Sequence, residues 1–326
     1  MSEAQKRDHR QEVTDEIIRL LEQGTAPWQK PWDAQHSPLL PFNPTTNKPY
    51  RGGNVLSLLV SAVKKGFDDP RWATYRQASE EGWQVRRGEK GTHIEFWEPK
   101  IADKEIGEDR KRDQESERFA FVHRVYTVFN AQQVDGPPPI QIQRPISFEV
   151  VEAGEKILKD SGAKIFHDQA DRAFYHRGWD TIHLPPRQAF PTAEAYYGTS
   201  IHELVHWTGH STRLNRDTLN KSRGFGAADE QYSREELVAE IGSMMLAAEK
   251  GIPHHPEQHA AYVGSWIRVL QNDKNEIFRA ASAASAATDY VLSRDRQQSL
   301  SEPDKLLLKP ALLIQQPTTQ HRARGR

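Results

Sequence analysis

His202-Glu203-Leu204-Val205-His206 is an H-E-x-x-H pentapeptide within a stretch of helical periodicity. Because successive side chains on a helix turn by about 100°, the two histidines point within about 40° of each other and can reach one cation. Leu204 and Val205 fall on the opposite arc, which would pack on the core. Glu203 projects beside the histidines and could act as a general base. The pentapeptide therefore predicts a metal site facing a cleft; the alternative is two histidines with a purely structural role.

A third protein ligand must be a histidine or a carboxylate, because the chain contains no cysteine. The longer pattern H-E-x-x-H-x-x-G-x-x-H does not apply, because its last position is Thr212. A glutamate from a later helix is the alternative, and the segment 233–240 supplies one. Within it, Glu236 and Glu240 lie one helical turn apart on a stripe that continues with small residues. The sequence therefore predicts Glu236 as the third ligand.

The roles of the glutamates in this segment stay open at the level of sequence. Ser233-x-x-Glu236 is also a capping box, in which the glutamate would only close the start of a helix. Glu235 points about 100° away and is the second candidate for the third ligand. Glu240 either orients a ligating histidine or is an ordinary solvated residue. A site of two histidines and one glutamate with an open fourth position is the arrangement of catalytic zinc, with Mn²⁺ or another divalent cation as the alternative.

The composition limits the class of protein. A length of 326 residues and a mass of 37.3 kDa suggest about two domains, each with its own core. The formal net charge of −1 excludes a wholly basic coat for nucleic acid but allows a local patch. A mean hydropathy of −0.79, without an apolar run of about 18 residues, excludes a transmembrane helix. Because the charged N-terminus lacks the apolar segment of a secretory signal, we expect a cytoplasmic protein without a membrane partner.

Breaks in the hydrophobic pattern predict an α+β fold with two domains. Asn54 is a plausible N-cap for a helix over 54–65, and Gly66 its stop. The almost wholly charged stretch 100–118 would be a solvated excursion between two strands. Helical periodicity is present at 12–23, 54–65, 148–160, 192–208, 233–250 and 256–292, and β-like runs at 84–86, 93–98, 119–129, 163–167 and 173–184. The predicted divisions are an N-terminal domain over 1–136, a Pro-rich linker over 137–145, a C-terminal domain over 146–292, and a disordered tail over 293–326.

A Pro-rich loop in the N-terminal domain alternates aromatic and basic residues. Exposed rings together with cations that reach phosphates are what single-stranded DNA binding requires, since a base can stack on any exposed ring. The alternative is that the tryptophans are core residues and the charges a solvated face. The candidate DNA contacts, including a basic turn further along the chain, are Trp28, Lys30, Trp32, Lys48, Tyr50, Arg51, Arg86, Arg87 and Lys90.

Several segments together resemble the ArdC-type antirestriction proteins of conjugative plasmids. In the N-terminal domain these are G-T-A-P-W-Q-K-P-W (24–32), N-P-T-T-N-K-P-Y-R-G-G-N (43–54) and G-E-K-G (88–91). In the C-terminal domain they are I-H-E-L-V-H-W-T-G-H-S-T-R-L-N-R (201–216) and Y-S-R-E-E-L-V-A-E (232–240). The resemblance spans roughly residues 12–290.

The resemblance implies an N-terminal domain that binds single-stranded DNA and a C-terminal, zincin-like (gluzincin-type) metallopeptidase domain. It implies a role in protecting incoming plasmid DNA from host restriction during conjugation. The metal motif of the family falls on His202 and His206, with Glu203 as the catalytic base and the third ligand within 236–240. A host restriction enzyme or another protein would be the peptidase target.

Two other functions are compatible with the sequence. In the first, the metal only stabilises the fold and the protein shields DNA without catalysis. The second, an accessory module of a primase, would need a carboxylate triad for two-metal phosphoryl transfer, and the sequence contains no convincing one.

Overall fold

The computed structural model describes residues 8–28, 40–101, 119–140, 147–222, 229–253 and 260–301. Its helices are α1 His9–Glu22, α2 Gly53–Lys65, α3 Tyr75–Glu80, α4 Ser147–Ser161, α5 Ala193–Thr208, α6 Asp217–Asn220, α7 Glu230–Glu249, α8 Ala260–Asn272 and α9 Glu276–Ser301. Its strands are β1 Phe42–Asn43, β2 Lys48–Pro49, β3 Trp72–Thr74, β4 Gln84–Val85, β5 Thr92–Ile101, β6 Phe119–Asn130, β7 Val134–Asp135, β8 Lys164–Phe166, β9 Phe174–His176 and β10 Thr181–His183. The predicted α+β class is confirmed. Among the helices of these segments, not one combines the length and apolar composition needed to cross a bilayer.

The N-terminal half, residues 8–140, contains an antiparallel sheet of order β3-β6-β5. The long β5–β6 hairpin corresponds to the predicted strands at 93–98 and 119–129. Ile101 ends β5 inside the predicted insert, and residues 102–118 lie outside the described residues. Two small sheets, β1-β2 and β4-β7, complete this half.

The start of α2 differs from the sequence prediction, although its end does not. Gly66 ends the helix in the left-handed conformation, as predicted, but the N-cap is Gly52 rather than Asn54. The side-chain amide of Asn54 instead donates to the Glu95 carbonyl and accepts from the Glu95 N–H, at 2.8 Å each. It thereby satisfies backbone groups on β5, the outer strand of its sheet.

The C-terminal half, residues 147–301, places a three-stranded sheet beside α5. Its order is β8-β10-β9, with β8 parallel and β9 antiparallel to β10. The predicted β-like run 173–184 forms two strands, β9 and β10, joined by a turn at 177–180. Strands β9 and β10 contact α5, the helix that carries the H-E-x-x-H motif.

Helices from both halves share one hydrophobic cluster, and a second cluster lies wholly within the C-terminal half. Buried side chains of α1 and α2 belong to the same cluster as those of α7, α8 and α9. The rings of Trp28 and Trp266 meet edge to face at 6.1 Å. A Cβ on Gly53 would lie 2.3 Å from the ring of Phe278, so α2 approaches α9 closely only because this position is glycine.

The prediction of a disordered tail is wrong for residues 293–301. Helix α9 continues to Ser301 because Val291, Leu292 and Asp295 are buried. The Asp295 carboxylate accepts hydrogen bonds from Lys156 and Lys250, which fix α9 to α4 and to the end of α7. Residues 302–326 lie outside the described residues, as do 141–146, which include most of the predicted linker.

Candidate metal centre and nucleic-acid interface

Helix α5 holds both histidines of the motif in a buried position. The helix begins at the N-cap Thr192, whose hydroxyl accepts a hydrogen bond from the Ala195 amide. His202 is 8% exposed and His206 4%, and their Nε2 atoms are 3.2 Å apart. The helical spacing thus brings the two ring nitrogens to one point, as the sequence predicted.

Helix α7 brings Glu236 to the same point. One carboxylate oxygen of Glu236 lies 3.4 Å from His202 Nε2, and the other lies 3.4 Å from His206 Nε2. The capping-box alternative is wrong, because α7 begins a turn earlier, at Glu230, with Asp229 as N-cap. Asp229 Oδ1 accepts the Tyr232 amide at 2.9 Å. Glu236 is therefore an interior helix residue that faces the histidines.

The outer nitrogen of each imidazole faces a second carboxylate. His202 Nδ1 lies 3.3 Å from Glu240, the residue predicted to orient a ligating histidine. His206 Nδ1 lies 3.2 Å from Glu235. Glu235, the second candidate for the third ligand, thus lies on the far side of His206 from Glu236. Such carboxylate contacts fix the ring orientation and leave Nε2 directed at the shared point.

Arg216 is a member of this arrangement that the sequence analysis did not single out. Its guanidinium donates to both oxygens of Glu235, at 2.5 and 3.1 Å, and to the carbonyl of Val205 at 2.7 Å. A Cβ on Gly209 would lie 2.6 Å from Arg216 Nη2, so glycine is required there for the guanidinium to reach the end of α5. No sequence pattern predicts that a basic residue ten positions after a helical histidine makes this contact.

Four buried carboxyl groups create a negative environment around the histidines. Burial alone would lower the pKa of His206, but the charge of Glu236 and the hydrogen bond to Glu235 raise it to about 9. Burial alone would raise the pKa of Glu235, but Arg216 and His206 lower it to about 2. Burial raises the pKa of Glu203, against the positive charges of the two histidines, and the Tyr175 amide of β9 donates a hydrogen bond to it. The site is therefore suited to a cation.

The donor set fits a divalent metal ion. His202, His206 and Glu236 each offer one ligand atom, and these atoms lie within 4.8 Å of one another. Ligand atoms ~2.1 Å from a tetrahedral ion are ~3.4 Å apart, close to the separations of 3.2–3.4 Å found here. The ring of Tyr232 is nearly parallel to that of His206, at 6.4 Å, and its hydroxyl bonds to Glu236.

Two of the predicted DNA-stacking rings are core residues. Trp28 is 2% exposed and packs on Trp266. Tyr50 is 8% exposed, and its hydroxyl donates to the Trp72 carbonyl at 3.0 Å. The prediction that bases stack on these two rings is wrong for this structure, because neither face is accessible. Lys30 and Trp32 lie outside the described residues.

The remaining basic candidates do not form one cluster. Lys48 is exposed in β2, and Lys90 is exposed before β5. Arg86 and Arg87 line a cavity of about 540 Å³ with Tyr75 and Phe129. Arg86 is tied to Asp135 and Glu89 at 3.4 and 3.2 Å. Arg51 precedes α2, 2.8 Å from Glu249.

Three exposed aromatic residues of the N-terminal half lie on the β5–β6 hairpin. Trp97 is 54% exposed, Phe96 44% and Tyr126 36%. These rings were not among the predicted DNA contacts, because adjacent aromatic residues in a strand are typical of a strand that is buried on both faces. By contrast, Ile94 and Val128 of the same hairpin are buried.

Comparisons with known proteins agree with this architecture. The family model for the N-terminal domain of anti-restriction factor ArdC matches residues 7–129, and that for a zincin-like metallopeptidase matches residues 152–283. A metal-free crystal structure of the antirestriction protein ArdC from plasmid R388 is 36% identical, with a TM-score of 0.70. The match covers 89% of this chain and 99% of that one. This chain belongs to the ArdC antirestriction family.

Other relatives of this ArdC-family chain differ in length. The Mn(II)-bound structure of R388 ArdC is 37% identical, with a TM-score of 0.68, and the match covers 89% of this chain and 98% of that one. An uncharacterized protein, y4eC of Sinorhizobium fredii (strain NBRC 101917 / NGR234), is 33% identical over 89% of this chain and 93% of its own length. Two Escherichia coli proteins named DNA primase TraC are each 45% identical, over 95% and 90% of this chain. The chain spans only 29% and 20% of their lengths, so an ArdC-like segment also occurs within much longer proteins.

Proposed function

We propose that this chain is a metal-dependent peptide hydrolase joined to a surface that binds single-stranded DNA. It would protect incoming plasmid DNA from restriction during conjugation, in the cytoplasm of the bacterial host. The observation that carries the hydrolase proposal is the convergence of His202, His206 and Glu236 on one point beside Glu203. Membership of the ArdC family supports the antirestriction role.

His202, His206 and Glu236 would hold the ion, which we propose to be zinc because two histidines and one carboxylate suit it. Manganese is the alternative, since R388 ArdC has been crystallised with Mn(II). When bound, such an ion polarises a carbonyl group and lowers the pKa of water. Glu240 and Glu235 hold the outer imidazole nitrogens and so keep both Nε2 atoms aimed inward.

Glu203 would move the proton in the hydrolysis. Its carboxylate accepts a hydrogen bond from the Tyr175 amide, which fixes it next to the histidines. Burial raises its pKa towards the working pH, where a group accepts and returns a proton most efficiently. A host restriction enzyme or another protein that meets the incoming DNA would be the substrate.

The second candidate function is DNA shielding with a structural metal. The observation that favours it is the burial of the cluster, since each of its three residues is less than a tenth exposed. A catalytic ion must admit a substrate, whereas a structural ion is enclosed by protein.

Glu203→Gln separates the two functions. We expect the variant to bind metal as the unaltered chain does, to lose peptide hydrolysis by at least 100-fold, and to lose protection of a conjugated plasmid in a restricting host. Glu194→Gln, on the first turn of the same helix, is the control and should change none of these. Full protection by Glu203→Gln would exclude a catalytic role in antirestriction and leave the shielding function.

A further inference from the structure

A groove of about 450 Å³ lies where the two halves of the chain meet. Arg10 of α1, Arg51 before α2 and Trp97 of β5 line it from the N-terminal half. Phe278 and Arg279 of α9 line it from the C-terminal half. The groove is therefore incomplete in either half alone.

Trp97 offers this groove an aromatic platform. Its indole ring is stacked on the His123 ring, with centroids 4.4 Å apart and an interplanar angle of 26°. With 54% of the residue exposed, the opposite face can receive a planar group. The Arg10 guanidinium lies 6.0 Å from the Trp97 ring and 4.9 Å from the Phe278 ring, so cation and rings form one continuous wall.

Each arginine of the groove pairs with a carboxylate, since Arg51 lies 2.8 Å from Glu249 and Arg279 lies 2.5 Å from Glu276. Three arginines line the groove, and Glu95 is the one carboxylate among its lining residues in the described segments. Glu95 is paired with Arg10 at 2.6 Å. Arg51 Nη1 is buried without a hydrogen-bond partner among the described residues. The N-cap of α2, Gly52, has no side chain to accept from the first amides of that helix, which adds a positive dipole end.

We propose that this groove, rather than the Pro-rich loop, is where single-stranded DNA binds, with a base stacked on Trp97 and the backbone phosphate beside Arg51. The proposal rests on the single-stranded DNA binding proposed above and names the residues that would carry it. An unpaired base has a free face for stacking, whereas duplex DNA offers none along its length. Residues of α9 thus belong to the DNA site together with the N-terminal half.

The test compares two tryptophans in similar surroundings. Trp97 and Trp179 are both exposed, and both are stacked on a histidine, Trp179 on His176 at 4.1 Å. The full chain and its variants are titrated into a fluorescently labelled oligo-dT, and anisotropy gives the dissociation constant. We expect Trp97→Ala to weaken binding about tenfold or more, since a stacked base contributes ~1–3 kcal/mol. Trp97→Phe should restore most of the affinity, and Trp179→Ala should remain within twofold of the unaltered chain.

Three results would overturn the proposal, and the last of them would also remove part of the proposed function. If the unaltered chain binds oligo-dT and Trp97→Ala binds equally well, the groove is not the site, although the proposed function stands. The same holds if Trp179→Ala loses as much affinity as Trp97→Ala. If the unaltered chain does not bind oligo-dT at all, the DNA-binding part of the proposed function fails together with the groove. Thermal melting of each variant excludes unfolding as the cause.

Discussion

Glu235 connects the candidate metal centre to the rest of the fold. Its carboxylate faces His206 Nδ1, binds the guanidinium of Arg216 through both oxygens, and accepts a hydrogen bond from Thr218 at 2.5 Å. The residue itself is fully buried. A single side chain therefore orients a ligating imidazole and compensates a buried positive charge.

Glu235→Gln should weaken metal binding without removing a ligand. The amide keeps the shape of the side chain but loses the charge that holds the His206 ring, so we expect a 10- to 100-fold loss of metal affinity. Competition with a chromogenic chelator measures this loss. Glu230→Gln is the control on the same helix, because Glu230 is exposed and pairs with Arg234 at the surface. Unchanged metal affinity in Glu235→Gln would mean that Glu235 serves the fold alone.

Sequence spacing predicted the two histidines and Glu236, but not the contacts of Glu235 and Arg216. His202 and His206 follow from the 3.6-residue period, and Glu236 from the stripe it shares with Glu240. Glu235 and Arg216 were not assigned these partners, because their contact depends on how α7 crosses the end of α5. The burial of Trp28 was likewise open, because composition cannot distinguish a core ring from an exposed one.

At the scale of elements, the first residue of α7 decides what Glu236 can do. In a helix with Ser233 as its N-cap, the Glu236 side chain would bond to the backbone at the start of that helix. Because α7 starts at Glu230, the Glu236 carboxylate instead points at the histidines. The bounds of α2, α4 and α5 were predicted to within one residue, whereas α1 and α7 begin three residues earlier than predicted. The predicted helix over 256–292 is divided into α8 and α9. The short β3 and α3 were not predicted. A strand of three residues such as β3 forms because it pairs with β6, not because of a local preference of its residues.

Asp229→Ala tests this helix start. Removing an N-cap carboxylate should cost ~1 kcal/mol of the free energy of unfolding and leave one metal ion bound per chain. Glu236→Ala should instead abolish stoichiometric metal binding, because it removes a ligand. Elemental analysis after desalting and thermal melting measure the two effects. Loss of metal in Asp229→Ala with retention in Glu236→Ala would contradict the assignment of both residues.

For the whole molecule, the shared core implies that the N-terminal half and the half that contains the candidate metal centre unfold together. Buried residues of α1 and α2 pack with those of α7, α8 and α9, so neither half can lose its structure without exposing apolar surface of the other. Trp28 packs on Trp266, whose indole nitrogen donates to the Ser233 carbonyl of α7 at 3.0 Å. A path of direct contacts therefore leads from the N-terminal half to the helix that carries Glu236.

Trp28→Ala should lower the stability of the entire chain and leave DNA affinity unchanged. Truncation of a buried tryptophan costs ~3–5 kcal/mol, and because the core is shared this cost should shift a single calorimetric transition rather than one of two. Added zinc should raise the temperature of that same transition, since a ligand that binds only the folded state stabilises everything that unfolds with it. At a temperature where the variant is folded, its affinity for oligo-dT should match that of the unaltered chain, because Trp28 has no accessible face. Two separate transitions, with zinc acting on one and Trp28→Ala on the other, would show that the halves are independent despite their packing.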